Sequence, residues 1–149
     1  MQAAVPRLDD QVCFALYAAS RAVTNLYRPL LAELGLTYPQ YLVMLVLWEQ
    51  GSCQVKELGT ALSLDSGTLS PLLKRLEKLD LVHRERRVDD ERSVTITLTE
   101  QGAALGAKAI GLPAIIGEAM AKPPAELDAL RRTLRELTNS VNAFRQRTA

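Results

Sequence analysis

The sequence predicts a mainly helical α+β chain, with two short helices and a charged β-hairpin near the middle and long helices on either side. Three observations predict it. Leucines recur at helical spacing through residues 66–79. Apolar and hydroxyl side chains alternate through residues 94–98. The segments between carry the Gly, Pro, Asp and Thr residues that start and stop such elements. The 149 residues suit one compact domain, 1–149. Its middle unit is expected at about 54–99, and its flanking helices at about 9–35 and 100–147.

The first helix is expected to begin at Asp9 or Asp10, good N-cap residues, with Val12, Leu16, Ala19 and Val23 on one face. Pro29 should kink or interrupt it, and Gly35 ends it. Thr37-Tyr38-Pro39-Gln40 fits a capping box that opens a helix to Trp48, stopped at Gly51 and apolar on nearly all sides, hence buried. Val55–Leu62 reads as a short helix, Asp65-Ser66-Gly67 as a turn, and Ser66–Leu79 as a helix striped by Leu69, Leu72, Leu73, Leu76 and Leu79. Leu81–Arg87 and Ser93–Leu98 read as paired strands around the acidic tip Asp89-Asp90-Glu91. Thr99 should cap an Ala- and Gly-rich helix that weakens near Gly111–Pro113. Pro123-Pro124 then separates a last helix with Leu127, Leu130, Leu134, Leu137 and Val141, reaching Phe144.

Composition removes several function classes. Hydrophobic residues make up 48% and charged ones 23%, ordinary for a globular protein. The longest uninterrupted apolar run, Tyr41 to Trp48, is about half of the ~18 residues that a membrane span needs, so no membrane role is expected. No basic segment precedes an apolar one at the N-terminus, and two cysteines make no disulfide framework, so a cytoplasmic location is expected. One histidine, His83, with the distant Cys13 and Cys53, offers no metal-ligand spacing and no site for hydrolase chemistry. Neither a metal nor a cofactor is expected, and the chain does not read as an enzyme. The net charge is only +1, so any affinity for nucleic acid must come from where the charges sit.

Two short helices, a tight turn and a charged hairpin make the winged helix-turn-helix pattern, whose second helix enters the DNA major groove. Opposite the leucine stripe that helix shows Gly67, Ser70, Pro71, Lys74 and Lys78, flanked by Ser66, Thr68 and Arg75. Small hydroxyl residues allow close approach to base edges, while Lys74 and Arg75 reach phosphates or guanine. A solvated amphipathic face explains this helix equally well when it is taken alone. The hairpin favours DNA: its strands carry Arg84, Arg86, Arg87 and Arg92, while its tip carries acids, and Asp90 is placed to orient Arg92 for a narrow minor groove.

Val55-Lys56-Glu57-Leu58-Gly59, Asp65 through Glu77 and Asp89-Asp90-Glu91-Arg92-Ser93 together resemble the MarR family of bacterial regulators over essentially the whole chain. The resemblance implies a homodimer built from the N- and C-terminal helices. It implies binding to a palindromic operator in double-stranded DNA, with Arg92 in the minor groove steadied by Asp90.

A cysteine among apolar residues is ordinarily a small buried hydrophobe. Cys13, however, falls in the first turn of a helix, where the backbone favours an anionic and reactive sulfur, and Tyr17 lies one turn along. Leu8 through Arg21 and Leu36 through Glu49 resemble the organic-hydroperoxide-sensing OhrR-type branch of that family. There the N-terminal cysteine reacts with peroxide, and tyrosines matching Tyr27 and Tyr38 hydrogen-bond it across the dimer, with Tyr17 nearby. No cysteine follows Cys53, so the one-cysteine type, with a low-molecular-weight thiol as mixed-disulfide partner, is expected. The function so implied is a repressor that releases its operator when an organic hydroperoxide oxidises Cys13. The alternatives are a regulator induced by a non-covalently bound phenolic ligand, and a thiol peroxidase.

Overall fold

The structure is a computed structural model describing residues 4–89 and 93–149. It forms two compact units, one ending at Leu112 and one running from Pro113 to Ala149. Asp90, Glu91 and Arg92 at the hairpin tip lie outside the described residues.

In the first unit a 3-10 turn, Leu8–Asp10, precedes α1 (Val12–Ala32). Gln11, not Asp9 or Asp10, is the N-cap, and its side chain caps nothing. The two aspartates are spent on the preceding turn, which places Cys13 in the opening turn of α1. Pro29 does not interrupt α1. A proline deprives the carbonyl four residues back, here that of Asn25, of its partner. Both residues lie on the exposed side, where water can replace the bond, and Tyr27, Leu30 and Leu31 pack inward around them.

The Thr37–Gln40 capping box is present in both directions and opens α2 (Tyr38–Gln50), which ends at Gly51 with φ +77°. Its Tyr41, Val43, Met44 and Leu47 are buried, whereas Leu42, Val46 and Trp48 are half-buried and Leu45 is exposed, so the helix is not enclosed on all sides as expected. Three helices follow from the same local logic. They are α3 (Val55–Leu62), α4 (Ser66–Lys78) and, beyond the hairpin, α5 (Glu100–Ala109). On α4 the leucines at 69, 73 and 76 enter the core, whereas Leu79 stands 44% exposed as the C-cap.

One strand has no signal in the sequence. β1 (Ser52–Gln54) is three residues long, too short for an alternation to register, yet it pairs antiparallel with β3 (Val94–Leu98). With β2 (Val82–Arg86) it makes a sheet of order β1-β3-β2, in which Cys53 faces Ile96 and both are buried.

The start of α5 is locked to the loop that leaves α4. The Thr99 hydroxyl donates to the Asp80 carbonyl at 2.6 Å and accepts from Gly102 N at 2.9 Å. A Cβ on Gly102 would fall 2.0 Å from the Leu81 carbonyl oxygen, so only glycine permits this approach. By length and composition alone the stretch Glu100–Met120 could cross a membrane. In the fold it is two helices, α5 and α6 (Leu112–Met120), separated at Ile110-Gly111, and its first half is docked on the core.

The second unit carries most of α6 and the whole of α7 (Pro124–Thr148), one turn longer than its apolar pattern predicts. No residue of α7 is buried. Leu127, Leu130, Leu134, Leu137, Val141 and Phe144 follow one another at alternating spacings of three and four, the repeat of a two-helix seam.

Thr99→Ala removes the hydroxyl that serves both Asp80 and Gly102 and leaves buried backbone groups unpaired. It is expected to lower unfolding stability by about 1–3 kcal/mol in urea titration, while Thr99→Ser keeps most of it.

Candidate nucleic-acid interface and thiol site

Asp65 sets the start of α4. Its carboxylate accepts from Thr68 N at 2.7 Å, and that backbone hydrogen bond holds its carboxyl below the ordinary range. The helix thus begins at Ser66, five residues ahead of Pro71, and continues through it. With Leu69, Leu73 and Leu76 buried, the opposite face is turned outward. Ser66, Thr68, Lys74 and Arg75 are exposed and Ser70 is half-buried, on one amphipathic element.

Arg86 ends β2, paired with Val94, and is exposed. Asp90 and Arg92, the other two wing residues expected at the interface, lie outside the described residues. Two neighbouring arginines are already engaged. Arg84 meets Glu77 of α4 at 3.4 Å, tying the hairpin to the helix, and Arg87 meets Asp89 at 3.6 Å. Glu77 gives no hint of this pairing in sequence, because the partners sit on different elements.

Cys13 is exposed, which separates it from the buried cysteine that residue type alone would suggest. Tyr17 beside it is 60% exposed, with the Arg21 guanidinium 5.5 Å from its ring centroid. Tyr27 and Tyr38 pack on one another, with ring centroids 4.9 Å apart. They do not meet Cys13 within the chain. Cys13 and Tyr27 stand fourteen positions apart on one continuous helix, about 21 Å at ~1.5 Å per residue.

A third ring, not singled out from the sequence, completes the cluster. Tyr41 lies 5.5 Å from Tyr27 and 6.4 Å from Tyr38, and is 1% exposed. Its spacing of three from Tyr38 on a capped helix was the available signal. Burial, followed by the neighbouring phenols of Tyr41 and Tyr38, pushes the Tyr27 hydroxyl up to about 12, and burial also raises Tyr38 and Tyr41. All three therefore stay neutral O–H donors at physiological pH.

Cys53 is a different kind of thiol. It is buried against Ile96, its Sγ is 3.8 Å from Glu57 Oε2, and burial together with that carboxylate raises its pKa. It is held as a protonated, unreactive core residue.

Below pH 10 the Tyr27 phenol is protonated in both folded and unfolded chains. Between 10 and about 12 the unfolded chain releases its proton first, so stability falls across that window. Thermal midpoints measured through this range are expected to drop more steeply for the wild type than for Tyr27→Phe.

Comparison with known proteins agrees with this architecture. The family model for transcriptional regulator SarA/Rot matches residues 25–108. The organic hydroperoxide resistance transcriptional regulator of Bacillus subtilis is 54% identical over 110 residues, covering 74% of this chain and 75% of that protein. AbfR of Staphylococcus epidermidis has been solved reduced and bound to DNA, at 37% identity and TM-score 0.72, over 93% of this chain and 94% of that one. It has also been solved with a disulfide formed, at 38% identity and TM-score 0.61, over 89% of this chain and 93% of that one. AbsC, a MarR family regulator of Streptomyces coelicolor, shares the fold at TM-score 0.78 and 22% identity, over 95% of this chain and 99% of that one. Winged helix, half-buried phenol pair and exposed N-terminal thiol occur together in a chain that belongs to the MarR family of transcriptional regulators, on its organic-hydroperoxide branch.

Proposed function

We propose that the chain is a homodimeric repressor that binds a palindromic operator in its reduced form and releases it when an organic hydroperoxide oxidises Cys13. The observation that carries this reading is the separation of Cys13 from the Tyr27–Tyr38 pair. An exposed thiol and the Tyr27 phenol, about 21 Å apart on one stiff helix with Tyr38 of α2 packed on Tyr27, can meet only if a second copy supplies the missing half. The apolar residues left exposed on α1 (Val12, Phe14, Tyr17 and Leu26) and the three-four repeat on α7 each offer a surface for that copy.

On DNA, each α4 lays Ser66, Thr68 and Ser70 near base edges, with Lys74 and Arg75 toward phosphates or guanine. The wing adds Arg86, and Arg92 oriented by Asp90. In the thiol step the Cys13 thiolate attacks the distal oxygen of ROOH. An S–O bond forms, the O–O bond breaks, and alkoxide leaves and takes a proton to become ROH. The product is a sulfenic acid, which a low-molecular-weight thiol condenses with to give a mixed disulfide and water. Either product removes the anionic acceptor that the partner's phenols were bonding. Relatives support the reading: a hydroperoxide regulator shares 54% of matched residues, and AbfR has been solved reduced and bound to DNA and with a disulfide formed.

Cys13→Ser is expected to bind operator like the wild type and to stay bound in cumene hydroperoxide, as followed by gel shift. Release of this variant by the peroxide would instead favour a non-covalent inducer. Steady peroxide consumption by the wild type, without operator affinity, would favour a thiol peroxidase.

Lys74→Ala and Arg86→Ala should each weaken operator binding and reduce the slope of log affinity against log salt by about 1. Unchanged slopes, read from anisotropy titrations, would remove those side chains from the interface.

A further inference from the structure

The aromatic packing that starts at Tyr27 and Tyr38 continues inward. Tyr41, almost wholly buried, meets the edge of Trp48 at 6.1 Å between ring centroids, with the planes inclined at 63°. Trp48 is the single tryptophan of the chain. Its indole N–H reaches α5 and donates to the Gly102 carbonyl at 2.9 Å. Its ring lies flush on Gly106, where a Cβ would come 3.1 Å from indole atoms. Gly102 in turn touches the Leu81 backbone, and Thr99 holds the Asp80 carbonyl. Asp80 and Leu81 are the residues through which the chain leaves α4 for β2.

We propose that Trp48, seated on the Gly102–Gly106 face of α5, is the positioning residue that carries the state of the Tyr27–Tyr38 phenols to the exit of the recognition helix. This rests on the reading of Cys13 as the sensor and names the joint through which that sensor acts. The physical reason is close packing. Rings at these separations do not deform continuously, so phenols that lose their thiolate partner reorient as a group with Tyr41. Tyr41 is enclosed and bears on Trp48. The indole cannot slide along α5 without breaking its bond to Gly102, and at Gly102 the helix has no slack against Leu81. A shift of the rings therefore moves α5 together with the Asp80–Leu81 backbone that sets the direction of α4.

The test compares full-length wild type, Trp48→Phe and Gly106→Ala, each reduced and then treated with cumene hydroperoxide. Mass spectrometry follows Cys13, and anisotropy follows labelled operator DNA. Typical couplings between sites are about 5–150-fold, and a wild-type affinity loss of that order is expected on oxidation. In Trp48→Phe, Cys13 is expected to oxidise at the wild-type rate and the reduced protein to bind within about threefold of wild type, while the oxidation-induced loss shrinks below about threefold.

Gly106→Ala, which presses a methyl on the indole and keeps its N–H, is expected to alter the same ratio. In wild type without DNA, Trp48 emission is expected to change as Cys13 oxidises. A role in packing alone would lower the thermal midpoint and leave the ratio of reduced to oxidised affinity unchanged in both variants, which would overturn the proposal. Unchanged Trp48 emission on full oxidation would overturn it as well, and that measurement needs no variant to fold. If wild type keeps its operator with Cys13 fully oxidised, the sensor reading itself fails and the joint falls with it. If wild type releases and both variants release equally, the joint alone fails.

Discussion

At Gly102 two backbones meet with no room for a side chain between them, and the first unit is organised around that contact. The Thr99 hydroxyl bonds Asp80 and Gly102 at once, the Leu81 carbonyl lies where a methyl would otherwise stand, and Trp48 donates to the Gly102 carbonyl. Three elements that are far apart in sequence are thereby held together: α2 with its tyrosines, the loop that leaves α4, and the start of α5. The hairpin inherits its direction from the same place, because β2 begins at Val82, one residue after Leu81. Arg84 then ties it back to Glu77 of α4.

The two cysteines show how position decides chemistry. Both are free thiols, Cys13 standing between Val12 and Phe14 in sequence and Cys53 between Ser52 and Gln54. Cys53 sits on a strand flanked by β3, with a carboxylate next to it, and both burial and charge disfavour its anion. Cys13 sits in the first turn of a helix, exposed, beside the likewise exposed Val12, Phe14 and Tyr17. The fold thus buries one thiol beside a carboxylate and leaves the other open at the start of a helix.

Much of the fold was legible because its signals are local. The Thr37–Gln40 capping box, the Thr99 cap, the glycine stops at 35 and 51 and the leucine stripe of α4 act within one or two turns, and sequence reports such effects directly, whereas Asp65, read only as part of a turn, is the α4 cap. Where local rules misled, a longer-range term had won. Asp9 and Asp10 are good caps, but they were taken up by a 3-10 turn. Pro29 is a helix breaker, but packing by Tyr27, Leu30 and Leu31 outweighs one lost exposed bond. Leu79 has helical phase with the stripe, but the helix ends before it can turn inward. β1 exists only because β3 is beside it.

By itself the sequence determined the order of the main helices and the hairpin, the family, and the residue types that α4 and β2 carry, because periodicity, caps and motif spacing are properties of neighbours along the chain. Only the tertiary structure decided that Tyr41 and Trp48 extend the tyrosine pair toward α5. It alone decided that Arg84 and Arg87 are engaged while Arg86 stays exposed, and that Cys13 and Tyr27 are held apart by the length of one unbroken helix. Those are distances between residues on different elements, or across many helical turns. They depend on how buried side chains close-pack, which no local pattern encodes.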